Sequence, residues 1–118
     1  MTTQCLLDAK EALETLNHKA ILSIYSEDFL FEDIPAGLRI TDRAGLEGYF
    51  SNLFSLPGVA FADVRIFDGG DFAVLEWTWS GIHRKTGEAY HVRGVSVIEL
   101  RGGKIARESI YYDPSPAL

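Results

Sequence analysis

The sequence predicts an α+β domain in which three helices of the N-terminal half pack on a curved, mainly antiparallel sheet to form a cone. Helical apolar periodicity is confined to residues 4–54, whereas residues 59–112 have the pattern of long strands joined by Gly-rich turns. These strands are too long and too aromatic for a flat sheet under one layer of helices. We therefore expect the helices and the sheet to enclose a hollow.

Length and composition are those of a single globular domain spanning residues 1–118. The chain has 11 Lys and Arg against 17 Asp and Glu, which argues against a nucleic-acid partner because phosphate binding needs clustered cations. It has no apolar run of about 18 residues, so we expect no membrane partner. No basic region followed by a long apolar segment opens the sequence, and we expect no signal peptide.

Cys5 is the only cysteine. A single thiol excludes an internal disulfide and fits a cytoplasmic location, and we interpret it as a partly buried thiol at the start of a helix rather than a nucleophile. The histidines and acids do not have the spacing of a metal-ligand set, and no Gly-rich phosphate loop lies between a strand and a helix. We therefore expect neither a metal nor a cofactor.

Helices and strands are assigned from the period of the apolar residues and from their end signals. Asn17 caps the second helix, Thr41 or Asp42 caps the third, and Pro35 and Gly37 break the first strand. The predicted helices are 4–16, 18–25 and 43–54. The predicted strands are 29–34, 59–67, 72–83, 88–100 and 104–112.

The alternation of side chains along the strands predicts which residues face the hollow, once the Trp77 face is placed inward. An aromatic shell with one or two acids is the usual composition of a small-molecule site. The alternative is that the same aromatic residues fill a solid core. The predicted wall consists of Tyr25, Phe50, Phe54, Trp77, Trp79, Tyr90, Ser96, Glu108, Ile110 and Tyr112.

Asp33 ends the aromatic strand just before the Pro/Gly turn, on the same face as Phe29 and Phe31. A carboxylate there is costly to bury, and in a pocket it can take and return a proton next to a bound carbonyl. The alternative is that Glu32 and Asp33 only cap or solvate the turn. His18, at the start of the second helix, either orients Asp33 or lies exposed in the first helical turn.

Three other residues have two open interpretations each. His83 and His91 flank the hairpin turn at 84–87, where we expect them to meet as a pair on the surface or on a dimer face. Arg93 forms a cross-strand ion pair with Glu76, Glu99 or Glu108, or it points inward and clamps an anion.

Four groups of residues, in this order and spacing, resemble the SnoaL-like branch of the nuclear transport factor 2-like superfamily. They are Asn17-His18 at a helix start, the segment from Tyr25 to Gly37, Trp77-x-Trp79-Ser80-Gly81, and Lys104-Ile105 followed by Tyr111-Tyr112-Asp113. The resemblance covers essentially the whole chain. It implies the cone-shaped α+β barrel also called cystatin-like, and a homodimer formed through the outer sheet face.

Members of this superfamily include polyketide cyclases, ketosteroid isomerase and many non-catalytic binding modules. The resemblance implies that Asp33 matches the general base of the isomerase. The positions of that enzyme's two oxyanion donors fall near Ala9 and Ser96, and a family acid on the last strand is replaced by Ile110. The known isomerase machinery is therefore incomplete in this chain.

Two functional hypotheses follow. In the first, the protein binds a small apolar ligand that carries a carbonyl or hydroxyl and catalyses cofactor-free isomerisation, cyclisation or dehydration. Asp33 is then the base, Tyr112 or Tyr25 donates hydrogen bonds, and Trp77 supports the ligand. In the second, the same cavity belongs to a non-catalytic binding or accessory module.

Overall fold

The computed structural model describes residues 3–118 and consists of three α-helices on one face of a six-stranded sheet, followed by a short 3-10 helix at Ser115–Ala117. Among the described residues, no helix combines the length and the apolarity that crossing a membrane requires. The α-helices are α1 Gln4–Glu14, α2 His18–Leu22 and α3 Arg43–Leu53. The strands are β1 Tyr25–Asp33, β2 Leu38–Ile40, β3 Ala60–Asp68, β4 Phe72–Ile82, β5 Ala89–Arg101 and β6 Lys104–Tyr112.

The helix caps follow the sequence signals. The Asn17 side chain accepts a hydrogen bond from the Ala20 amide, and the Asp42 side chain accepts one from the Gly45 amide at 2.7 Å. The prediction that α2 extends to Tyr25 is wrong, because β1 already begins there. The buried Tyr25 and Phe29 are four residues apart, a spacing that suits either element, and the pairing of Tyr25 with Ile105 of β6 places it in a strand.

The sheet has the strand order β2-β1-β6-β5-β4-β3, with only the β1–β6 pair parallel. This pairing places the first aromatic strand beside the last one, so that Phe31 faces Glu108 and Asp33 faces Ile110. The short strand β2, which the sequence analysis missed, pairs with the end of β1. A register shift in β3 contains Asp63 with φ 53°, and such bulges increase the bend of a sheet.

The inward face of the sheet is the predicted one. Along β4 and β5 the residues in phase with Trp77 and Ser96 are the more buried ones, and the intervening residues are more exposed. Arg93 lies on the outer face, where its guanidinium is 2.8 Å from Glu76. The ion-pair interpretation of Arg93 is therefore confirmed, and the anion-clamp alternative is wrong.

Candidate functional site: a cavity with two buried acids

A cavity of about 230 Å³ lies between the helices and the inner sheet face. Ala9 and Leu13 of α1, Ile21 of α2 and Phe50 of α3 line it from the helical side. Leu38 also lines the cavity, is 46% exposed and pairs with Asp33, so the wall beside Asp33 includes a surface residue. The lining residues on the sheet are Tyr25, Phe31, Asp33, Phe61, Leu75, Trp77, Trp79, Ser96, Ile98, Ile105, Glu108, Ile110 and Tyr112.

Asp33 is 3% exposed and is held by two phenols. The Tyr49 hydroxyl donates to Oδ2 at 2.7 Å, and the Tyr112 hydroxyl lies 2.9 Å from Oδ1 and 3.1 Å from Oδ2. The Ala36 amide donates to Oδ1 at 3.2 Å. Burial, together with the neighbouring Asp33 carboxyl, raises the pKa of both phenols, so they remain donors. The carboxylate is thus fixed in one orientation at the edge of an apolar cavity.

Glu108 is the second buried acid and lines the same cavity. The Tyr25 hydroxyl donates to Glu108 Oε1. Burial raises the pKa of Glu108, although the hydroxyls of Tyr25 and Ser96 act in the opposite direction. Burial and the neighbouring Glu108 raise the pKa of Tyr25 well above its ordinary value.

The two tryptophans of the inner wall differ in their polar contacts. Trp77 Nε1 donates to Ser96 Oγ at 3.0 Å, and its ring lies against Gly94, where a Cβ atom would come within 2.4 Å of it. Trp79 packs edge-on against Tyr112 and Tyr90. Its indole N–H is buried and has no partner among the described residues. An unpaired buried donor in a cavity wall is unusual, because its desolvation is uncompensated.

Some residues predicted from the sequence do not line the cavity. His18 contributes no hydrogen bond to Asp33, whose partners are Tyr49, Tyr112 and the Ala36 amide, and His18 is half-buried outside the cavity. Phe54 packs between Phe50 and Phe61 rather than lining the wall, and Tyr90 lies across Gly81 near the end of β4.

His83 and His91 do not meet across the hairpin. Ser80 is directly opposite His91, and Ser80 Oγ lies 2.8 Å from His91 Nδ1. His83 Nε2 instead lies 3.0 Å from the Pro116 carbonyl oxygen. Cys5 is buried, and burial raises the pKa of its thiol to about 11, as expected for a thiol that only packs. Among residues 3–118 no group of three or more His, Cys, Asp or Glu side chains could hold a metal ion.

Tyr49 is the site residue that the sequence analysis missed. It belongs to an apolar stripe of α3 together with Leu46, Phe50 and Leu53, a pattern that predicts a core residue. Its hydroxyl is nevertheless 2.7 Å from Asp33 Oδ2, with its ring 4.8 Å from that of Phe31. The available signal was the one hydroxyl in an otherwise hydrocarbon stripe, since a buried Tyr usually has a polar partner.

Solved structures of similar fold extend over almost the whole chain. A protein of ketosteroid isomerase-like fold from Catenulispora acidiphila DSM 44928, solved with trimethylamine, has a TM-score of 0.85 at 19% identity, and the match covers 100% of this chain and 92% of that one. A candidate polyketide cyclase from Pseudomonas putida KT2440 has a TM-score of 0.82 at 23% identity, with 99% and 96% covered. These identities show the fold alone.

An NTF2-like protein from Burkholderia thailandensis E264 has a TM-score of 0.85 at 20% identity, with 99% of this chain and 95% of that chain covered. Among curated proteins, no sequence matches this chain. The model of the SnoaL-like domain family matches residues 8–108, which is most of the chain. The protein therefore belongs to the SnoaL-like domain family, within the NTF2-like fold.

Proposed function

We propose that the protein binds a small apolar molecule bearing a carbonyl or hydroxyl and catalyses a cofactor-free proton transfer on it. The observation that carries this proposal is the Asp33 carboxylate, which is buried and held by two phenols in the wall of a mostly apolar cavity. Burying an acid is costly unless it is used or fully paired, and cavities of this composition are typical of small-molecule sites.

In the proposed reaction Asp33 removes a proton from a carbon next to the bound carbonyl and returns it at another carbon. The result is an isomerisation, and the same step can begin a cyclisation or a dehydration. Tyr112 contacts both carboxylate oxygens of Asp33. Its hydroxyl can turn toward a ligand oxygen without leaving Asp33 unpaired, because Tyr49 still donates a hydrogen bond to Oδ2. The unpaired N–H of Trp79 offers a second donor to a ligand acceptor.

A non-catalytic binding module is the second candidate, and one observation favours it. Both oxygens of Asp33 already accept hydrogen bonds from Tyr49, Tyr112 and the Ala36 amide. A base needs a free lone pair at the moment of transfer, and in this structure the lone pairs of Asp33 are largely engaged. In that case Asp33, Tyr49 and Tyr112 only bind a hydroxyl group of the ligand and do not transfer a proton.

The experiment is solvent-deuterium exchange of cyclic enones and their β,γ-unsaturated isomers, followed by NMR. The parent protein accelerates exchange, and Asp33→Asn lowers the rate by about 100-fold or more, the usual contribution of a general base. The matched control is Asp71→Asn, an exposed acid in the β3–β4 turn, which leaves the rate unchanged. Equal exchange by Asp33→Asn and the parent removes Asp33 as the base. Ligand binding without exchange by the parent favours the binding module.

We also propose that the protein is cytoplasmic and forms a homodimer, with the outer face of the sheet as the interface. Phe67, Val74 and Val97 lie directly opposite one another across β3, β4 and β5 on that face, and Phe72 beside them is 63% exposed. A continuous apolar row of this kind is typical of an interface between subunits.

A further inference from the structure

The proposed reaction leaves the second acid of the cavity, Glu108, without a role. Asp33 pairs with Ile110 and Phe31 pairs with Glu108 on the adjoining parallel strand. Glu108 is therefore one inward-facing position away from Asp33 along the sheet, which corresponds to roughly 7 Å. Both acids line the same cavity, and the residues around them are mostly apolar.

Glu108, on β6, is held in place by the Tyr25 hydroxyl of β1, which donates to its carboxyl group. On the neighbouring strands, Trp77 of β4 donates to the Ser96 hydroxyl of β5, which acts on the pKa of Glu108. All four residues line the cavity. A polar group that is fixed in the wall of an apolar cavity can hydrogen-bond a ligand and so determine the orientation in which the ligand binds.

The surroundings of Glu108 contain no cation on the cavity side. Cys5 from α1, Tyr25 from β1 and Tyr49 from α3 interact with Glu108, and all three are neutral at pH 7, with pKa values that burial raises further. The other acid of the cavity is Asp33. Among the described lining residues there is no Lys or Arg. Lys104, which acts on Cys5, donates to the Ser23 carbonyl oxygen at 2.6 Å. A carboxyl group in such surroundings favours its neutral form, which is a hydrogen-bond donor.

We propose that Glu108 and Tyr25 form a second polar binding point, which receives a carbonyl oxygen of the ligand while Asp33 engages a polar or acidic group at the other end. The inference rests on the proposed function and narrows its ligand class. The ligand is a rigid apolar molecule with two polar groups roughly 7 Å apart, one of them a carbonyl. A hydrogen bond to this carbonyl also stabilises the negative charge that develops on its oxygen when Asp33 removes a proton.

The test uses two fluorescent naphthols that differ in one group. Both 6-acetyl-2-naphthol and 6-isopropyl-2-naphthol place a hydroxyl at one end, and only the first has a carbonyl oxygen at the other. At pH 6 the parent protein binds the acetyl compound about five- to tenfold more tightly, the usual contribution of one neutral hydrogen bond. Glu108→Leu abolishes this preference and binds the isopropyl compound within about threefold of the parent. Glu108→Gln keeps the preference, because its amide still donates.

A measurement on the unaltered protein covers the case in which Glu108→Leu does not fold. The infrared stretching band of the bound, ¹³C-labelled acetyl carbonyl lies at lower frequency than in hexane when a donor contacts its oxygen. A band at the hexane position overturns the inference, and so does equal binding of the two naphthols by the parent. Binding of neither naphthol overturns the proposed function as well, so the two failures are distinguishable.

Discussion

Tyr112 and Asp33 are joined by a hydrogen bond that both carboxylate oxygens share, with the phenol oxygen 2.9 Å from Oδ1 and 3.1 Å from Oδ2. The two residues lie on β6 and β1, which are at opposite ends of the chain and adjacent in the sheet. Tyr49 adds a second phenol from α3. A helix and two strands therefore determine the orientation of a single acid.

Removing either phenol is expected to weaken this arrangement. Tyr49→Phe and Tyr112→Phe each lower the free energy of unfolding by about 1 kcal/mol, because each leaves a buried carboxylate with one donor fewer. Urea unfolding measures the change. Tyr111→Phe is the control, since its side chain is about half exposed on the opposite face of β6, and its stability stays that of the parent. Equal effects at positions 111 and 112 would contradict the assignment.

Glu108 is expected to make stability fall with rising pH. Its ordinary pKa is 4.5 and its pKa in the folded protein is higher, mainly because of burial. Between the two values the folded state binds more protons than the unfolded state, so the free energy of unfolding decreases as pH rises through this window. Glu108→Gln lacks this component.

Urea unfolding of the parent and of Glu108→Gln from pH 4 to pH 8 measures the difference. Relative to the Gln variant, the parent loses stability as pH increases from about 4.5 upward. The control is Glu99→Gln, which removes an acid about half exposed on the outer face and leaves the pH profile unchanged. A parent–variant difference that is constant with pH contradicts a raised pKa of Glu108.

Gly94 is expected to tolerate no side chain, because the Trp77 ring lies directly over it. A Cβ atom at this position would be 2.4 Å from the indole. Gly94→Ala therefore displaces Trp77 and lowers the free energy of unfolding by about 1–3 kcal/mol, with a shift in Trp fluorescence. Gly48→Ala on α3 meets no atom within 4 Å, and it raises stability by about 0.5–1 kcal/mol. The prediction is wrong if Gly48→Ala lowers the free energy of unfolding and Gly94→Ala does not.

The outer apolar row is expected to form the dimer interface. Val97→Lys places a charge in this row, where burial against a second copy leaves that charge unpaired, so the variant is monomeric. Sedimentation velocity at several concentrations measures the change. Ser51→Lys, exposed on α3, leaves the dimer intact. If the parent protein sediments as a monomer at every concentration, the apolar row is not a dimer interface.

The positions of many site residues follow from the sequence because a strand has a period of two. Once Trp77 is placed inward, Ser96, Glu108 and Tyr112 follow from alternation along neighbouring strands, and the structure places them on that face. Asp33 was predictable for the same reason, since it is in phase with Phe29 and Phe31.

The contacts between these residues could not be predicted, because they depend on how distant elements pair. The phenol of Tyr49 meets Asp33 only because α3 crosses the end of β1, and apolar periodicity does not fix that crossing. Tyr25 belongs to a strand rather than a helix because β6 pairs with it in parallel. Strand β2 was missed because its three residues lack a buried face.

The most direct test of the central claim is a crystal structure of the protein with 6-acetyl-2-naphthol. The account predicts the rings inside the cavity, with the ligand hydroxyl within about 3.2 Å of the Asp33 carboxylate. The crystal must be grown or soaked at a saturating concentration of the naphthol. The account is contradicted if side chains fill the cavity in that crystal, or if the ligand binds only on the outer sheet face.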